Sequence, residues 1–347
     1  MVYWDSAHHW SPFKIDALGL VTIIGVDEID RSVGCLTRSW ITDWLPYLGA
    51  HVVASNRFTL PIPGFTLYNV SDGILATDLV GWLSRWLLTE EVTFNSTTLY
   101  VSKSTRSRQI KSEFLAFAIG FCAIAPIAMI VCVLRDWWGL ANVISMTVSV
   151  VVRHYALQQN QKALGSAIAE SRGDLNAPVK VFLIMPTGEA VTIIASRGVI
   201  INGLLTTPRP PNPFLYKSLR MAGWVAFACH VISLGMTCLF GQLLSVAVLI
   251  GGTVLKIYHY QDDKYRIGSA LVLQRIDEPG RDFRAAAYAR LQLSQKEEES
   301  MIQWNLFPHE SNEHWWERYR QCTAEQKLDA FQIWDQLLAS KQEKQAQ

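Results

Sequence analysis

Charge is scarce in this chain: 18% of its 347 residues are Asp, Glu, Lys or Arg, against about 25% in an ordinary soluble domain. The 31 basic and 30 acidic residues leave a net charge of +1, so no bulk field draws in a polyanion and nucleic acid is not an expected partner. Cysteine is also sparse. None of the six forms a CxxC pair, and no Cys/His cluster has zinc spacing. Cys122, Cys132, Cys229 and Cys238 fall inside apolar runs, where a thiol behaves as a small hydrophobe. Catalytic signatures are missing too: there is no P-loop, no GxGxxG, no HExxH and no nucleophile elbow. His8 and His9 are adjacent, do not share a helical face and have no evident third ligand, so no metal site is expected and no cofactor.

What the chain has is apolar length. Half of its residues are hydrophobic, and mean hydropathy is +0.15 even with a long polar tail. Phe114–Leu134 holds no charge and is long enough to cross about 30 Å of hydrocarbon. Trp137–Val152, extendable to Tyr155, is a second such run, and Met221–Phe240 is a third. Leu243–Leu255 is shorter, but Lys256 can snorkel while Ile257, Tyr258 and Tyr260 carry the helix into the interface. Ala17–Val26 is apolar but too short to span.

The links inside each pair are very short, so the expected arrangement is two antiparallel hairpins. Lys103, Arg106, Arg108 and Lys111 precede the first span and Arg153 and Lys162 follow the second. Lys217 and Arg220 precede the third span, and Lys256, Lys264 and Arg266 follow the fourth. The far ends offer only Arg135 beside Asp136, so the basic asymmetry places both termini and the central loop in the cytosol. Trp137 and Trp138 mark the far interface, and Tyr155, Trp224, Tyr258, Tyr260 and Tyr265 the near one. Two glycosylation sequons, at Asn69 and Asn95, oppose this reading, and they matter only if the N-terminal region is lumenal.

The polar parts then divide into residues 1–111, a loop at 156–220 and a tail at 261–347, around hairpins at 112–155 and 221–260. Ser71 or Asp72 is placed to cap a helix near 74–88, with Leu75, Leu79, Trp82, Leu83 and Trp86 at helical spacing. Lying on headgroups and facing a core are its two readings; a polar face poor in Lys and Arg favours the core. Val179–Met185 and Ala190–Ala195 flank the turn Pro186-Thr187-Gly188-Glu189 and predict a β-hairpin across 179–195. Val199–Leu205 and Ile267–Ile276 are candidate further strands, because an isolated hairpin is marginal. Pro208–Pro213 reads as a stiff spacer. In the tail, Arg284–Leu293 is Ala-rich, Ser294 and Glu297 form a capping box, Asn305–Pro308 is a break, and Glu313–Gln321 is helical. Thr323 and Gln326 have capping-box spacing before a last helix, Ala324–Ser340, striped by Phe331, Trp334, Leu337 and Leu338.

Few residues suggest chemistry. His230 is the ionisable residue deep in a span; a proton relay or ligand, or a neutral His bonded to a neighbouring helix, are its two open readings. Asn142, Ser145, Thr147 and Ser149 place small polar groups on the second span, as helix glue does. His259, Asp262 and Asp263, with Glu113, would gather at the cytosolic mouth of the bundle. Paired carboxylates beside a His can do acid–base work on a lipophilic substrate, whereas helix-end charges in water are the plainer account.

Several stretches in the second half carry a resemblance: Arg266-Ile267-Gly268-Ser269, the run Asp282–Leu291, Asn305-Leu306-Phe307-Pro308 and Trp315-Trp316. Together they are similar to a group of multi-pass membrane proteins of filamentous fungi for which no activity is established. The resemblance implies a eukaryotic membrane setting and carries no site residue with it.

The expected fold is therefore membrane α-helical, four transmembrane helices as two hairpins, with an α+β cytosolic portion made of a small sheet and C-terminal helices. The leading expectation for function is a non-catalytic anchor or assembly protein in an endomembrane or plasma membrane, with the lipid bilayer and cytosolic proteins as partners. A membrane enzyme acting on a lipophilic metabolite and an oligomeric channel or transporter are the alternatives.

Overall fold

The computed structural model describes residues 16, 19, 26–37, 39, 41–90, 92, 94–104, 110–170, 173–258, 265–278, 280–326 and 330–346. Along the chain come α1 Val26–Gly34, α2 Ala50–Ala54, β1 Thr66–Asn69, β2 Ile74–Ala76, α3 Gly81–Thr89 and β3 Thr97–Lys103. Then follow α4 Ile110–Val133, α5 Trp137–Ala169, β4 Pro178–Ile184 and β5 Ala190–Ser196. After a helical stretch at Arg197–Val199 and Ile200–Leu205 come α6 Pro213–Met236 and α7 Leu239–Ile257. Strands β6 Arg266–Ile267 and β7 Leu271–Asp277 precede α8 Arg284–Arg290, α9 Gln295–Gln303, α10 Glu313–Ala324 and α11 Ala330–Ala346. The chain divides into two compact units, one of residues 1–60, 106–163 and 209–269, the other of 61–105, 164–208 and 270–347.

The first unit contains four helices long and apolar enough to cross a membrane, α4 to α7. The shortest has 19 residues and reaches about 28 Å at 1.5 Å per residue. Phe114, Phe121, Met129, Val225, Ile232 and Met236 point outward and are more than half exposed, an apolar surface that a helix in water does not keep. Asn212 caps α6 by accepting from the Leu215 N–H at 3.0 Å, with Pro213 at the first helical position. The second helix outruns the apolar stretch that predicts it: α5 continues past Val152 to Ala169. On its polar extension Gln161 donates to Leu36 O at 2.9 Å and Asn160 to the Tyr216 hydroxyl at 3.0 Å. Hydropathy marks where apolar residues stop, which is not where this helix stops.

Asp136 joins the far ends of the two helix pairs. Its carboxylate accepts from the Gly139 N–H at 2.9 Å, capping α5, and from the Cys238 N–H at 2.8 Å and the Thr237 hydroxyl in the α6–α7 turn. Burial pushes its carboxyl up, but the hydrogen bonds from the Thr237 hydroxyl and from the Cys238 and Gly139 N–H groups outweigh that and hold it below the usual carboxylate range.

The second unit is built on a seven-stranded sheet of order β2-β1-β4-β5-β3-β7-β6. β3 and β5 are parallel, while β1–β2, β1–β4, β4–β5 and β3–β7 are antiparallel. All seven residues of β5 are buried, the pattern of a central strand covered on both faces. Phe182 of β4 packs on Tyr288 of α8 with ring centroids 4.7 Å apart. Phe307, Trp315, Trp316 and Tyr319 extend that cluster under α8 and α10. The hairpin expected at 179–195 is present as β4 and β5, and Ser294 with Glu297 forms the expected capping box.

Three local expectations are corrected. The helix expected from residue 74 starts at Gly81, and Ile74–Ala76 is instead a strand paired with β1. Asp72-Gly73 is a turn dipeptide: the Asp72 N–H donates to Asn69 Oδ1 at 3.2 Å, Gly73 takes φ +69°, and the Asp72 carboxylate binds Arg197 rather than capping a helix. Val199–Leu205 is helical, not a strand. Trp82 Nε1 donates to Gly203 O and the Val80 N–H to Leu204 O, both at 2.9 Å, so packing against α3 overrides the β-branched preference. Thr323 lies inside α10 with its hydroxyl donating to Tyr319 O, so it caps nothing.

Two outcomes are expected. Asp136→Ala should destabilise the detergent-solubilised protein at pH 7 by about 1–3 kcal/mol, the cost of stranding buried donors. Because the folded carboxyl titrates below its unfolded value of about 3.9, its stabilisation is complete above that pH and is lost as pH falls through the folded value. Thermal melts between pH 7 and pH 2 should therefore drop more steeply for the natural chain than for the variant. Phe182→Ala should cost about 3–5 kcal/mol, read as loss of near-ultraviolet circular dichroism from the Tyr288 cluster at a lower temperature.

Candidate functional site

Residues 41–54 shape the interior of the helical unit. Leu45–Gly49 are buried and non-helical, and the segment meets all four long helices. Against α4, Gly120 allows the approach: a Cβ there would lie 2.4 Å from Trp44 O. Against α7, a Cβ on Gly252 would lie 2.1 Å from Pro46 O, and the Leu48 N–H donates to Thr253 Oγ1 at 2.9 Å. Arg220 of α6 donates to Ala54 O at 3.0 Å and to Ser55 O at 3.1 Å. From α5, Arg153 Nη2 donates to Asp43 O at 2.9 Å and Leu45 O at 2.7 Å. Irregular backbone among apolar helices has no water to satisfy it, so these side-chain donors and close contacts take that part. The Trp44 ring also stacks on His154, centroids 4.4 Å apart.

Under this segment lies a small cavity with about 20 Å³ of room for water centres, enough for one or two waters. Pro46, Tyr47, Ser149, Arg153, His230 and Leu249 are among the residues that line it. The Arg153 guanidinium sits 3.7 Å from the Tyr47 ring centroid and the residue is 5% exposed. Both of its hydrogen bonds come from one nitrogen, and no carboxylate among the described residues is within ion-pair distance of it. His230 is 4% exposed. Its Nδ1 has no hydrogen-bond partner among the described residues.

Of the residues singled out from sequence, the structure places His230 on this cavity. Asn142 does what small polar residues in apolar helices do, its Nδ2 donating to Ser245 Oγ at 2.9 Å between α5 and α7. His259, Asp262 and Asp263 lie outside the described residues, as do His8 and His9. Asn69 and Asn95 are both in the sheet unit and buried, at 0% and 1% exposure. Asn69 Nδ2 donates to Asp72 Oδ2 at 2.9 Å, and the Asn95 carbonyl accepts from Arg290. Arg153 and Tyr47 were missed as site residues. Arg153 reads from sequence as a flanking positive charge, and nothing in the spacing of residues 41–49 signals insertion among helices.

Among the described residues no group of three or more His, Cys, Asp or Glu is placed to hold a metal ion. The polar residues of the cavity's lining are Tyr47, Ser149, Arg153 and His230. The chain matches no protein-family model, no curated protein and no solved structure.

Proposed function

We propose that this chain is an integral membrane protein whose four apolar helices cross the bilayer as two hairpins and hold an α+β domain at the cytosolic face. In that role it is an anchor or assembly protein that presents the domain to cytosolic partners, in an endomembrane or the plasma membrane. The observation that carries the reading is the origin of the strands. β3, β5 and β7 are neighbours in one sheet, yet α4 and α5 separate β3 from β5, and α6 and α7 separate β5 from β7. Strands can pair only on one side of a bilayer, so each separating pair has to cross and return.

The basic flanks Lys103, Arg106 and Arg108 before α4 and Lys111 in its first turn, with Lys217 and Arg220 in the first turns of α6, favour the cytosol for that side. Burial of Asn69 and Asn95 supports the same choice, since the folded sheet leaves no room for a glycan at either. The mass outside the four helices also favours presentation of a domain over conduction through the helices.

Sidedness tests the reading. A protease site inserted at Thr187-Gly188, in the turn between β4 and β5, and a tag after Gln347 should both be cleaved in sealed cytosol-side-out vesicles without detergent. A site inserted before Trp137 should be cleaved only after detergent is added. Protection of the turn or the tail, or release of the whole chain by alkaline carbonate, would overturn the proposal.

A further inference from the structure

Helix α6 carries a cation on its outward face. Phe214, Lys217, Met221 and Trp224 are exposed, whereas Tyr216, Gly223 and Ala226 are buried. Steps of three and four residues put the exposed four on one stripe of the helix. No acidic residue lies between Glu189 and Asp262, and most cations of that stretch are engaged within the chain. Arg197 pairs with Asp72 at 2.7 Å, Arg220 donates to the Ala54 and Ser55 carbonyls, and Lys256 is buried. Arg209 and Lys217 differ: both are exposed, and neither has an ion pair among the described residues.

Depth along the helices says where Lys217 stands. Asp136 ties the Thr237-Cys238 turn to the start of α5, where Trp137 and Trp138 are exposed and mark one interface. At 1.5 Å per residue Lys217 lies about 30 Å from Thr237 and Phe214 about 35 Å, and hydrocarbon is about 30 Å thick. Tyr258, also exposed, lies about 30 Å from Cys238 along α7. Lys217 is thus level with an aromatic residue of the second interface, yet the apolar stripe continues past it. Phe214 is 81% exposed, on the far side of Lys217 from the hydrocarbon. A flanking charge in open water needs no aromatic ring outside it. A lysine with lipid-facing groups on both sides lies within the headgroup layer, where lipid supplies the counter-charge. Arg209 precedes Pro210, which biases it to extended backbone and brings the second unpaired cation to the same end of α6.

We propose that this end of α6 binds anionic phospholipid, a headgroup phosphate pairing with Lys217 and Arg209 while the Phe214 ring sits among neighbouring headgroups. Charge complementarity makes the choice of lipid. A zwitterionic headgroup presents the same phosphate with its charge cancelled, whereas each basic side chain at an anionic surface strengthens binding about fivefold. The proposal rests on the reading that the four helices cross a bilayer with this end cytosolic, and it names the lipid that the anchor prefers. Its test needs no sealed vesicle, so its failure is distinguishable from a failure of sidedness.

The full chain, purified in mild detergent, is titrated with dioleoylphosphatidylserine, dioleoylphosphatidylcholine and inorganic phosphate, and bound species are counted by native mass spectrometry. The two lipids share their acyl chains, so the ratio of their affinities reports the headgroup alone. Phosphatidylserine should bind about tenfold or more tightly than phosphatidylcholine, and the ratio should shrink as ionic strength rises. Lys217→Gln and Arg209→Gln should each lower the ratio about fivefold, and the double variant should bring it near one. Phe214→Asp places a carboxylate three residues before Lys217 and should cut the ratio as strongly as Lys217→Gln, which keeps the test open if the double variant fails to fold. Lys296→Gln removes an exposed cation of the sheet unit and should leave the ratio unchanged. Equal affinity of the natural chain for the two lipids would overturn the proposal, and so would a ratio that survives both Phe214→Asp and the double substitution. Binding of inorganic phosphate as tight as that of phosphatidylserine would assign the two cations to a free anion and overturn the lipid assignment.

Discussion

Side by side in the sheet, β5, β3 and β7 come from stretches of chain that long apolar helices keep apart. Hydrogen-bonded pairing is short-ranged: adjacent strands lie about 4.8 Å apart, so the segments that supply them must reach the same place. That requirement bears on every other element. It makes each apolar stretch end close to where it began, which two helices joined by a short turn can do and a single long helix cannot. It also gives the sheet a long-range topology, with the parallel β3–β5 pair joined through both α4 and α5. Register between β3 and β7 spans residues 97–103 and 271–277, so the sheet closes only after the last apolar helix has been made.

How much of this was legible in sequence follows from the range of the interactions involved. The four apolar helices, the hairpin of β4 and β5 and the Ser294–Glu297 capping box are written in residues a few positions apart, and all are found. The turn at Asp72-Gly73 is also local, but the helical spacing of Leu75, Leu79, Trp82 and Trp86 overlaps it and points the other way. In the structure the overlap resolves at Gly81: residues before it pair with β1 and residues after it wind into α3. Val199–Leu205 depends on partners more than a hundred residues away, Trp82 and Val80, and a β-branched run cannot announce that. The insertion of residues 41–54 among the helices is the least legible feature. Its cause is the absence of side chains at Gly120 and Gly252 and the reach of Arg153 and Arg220, four positions on four different helices.

Several polar groups inside the helical unit are answered by the chain itself. Asp136 accepts from three donors supplied by two turns, and Thr253 accepts from Leu48 while donating to Leu249 O at 2.7 Å. Such groups repay their burial within the chain, and the structure explains them as glue. Arg220 belongs with them, since Nε and Nη2 each reach a different carbonyl. Arg153 and His230 are answered less completely, and they are not alone in this. Each is at most 5% exposed, each retains polar atoms without a hydrogen-bond partner among the described residues, and both line one small cavity. A buried polar atom without a partner costs about 1–3 kcal/mol, more when it is charged. His230 Nδ1 shares that condition with Thr37 Oγ1, Thr42 Oγ1, His51 Nδ1, Asn142 Oδ1, Gln159 Oε1 and Gln242 Oε1 of the same unit, so the cost is spread through the helical interior rather than gathered at one cavity.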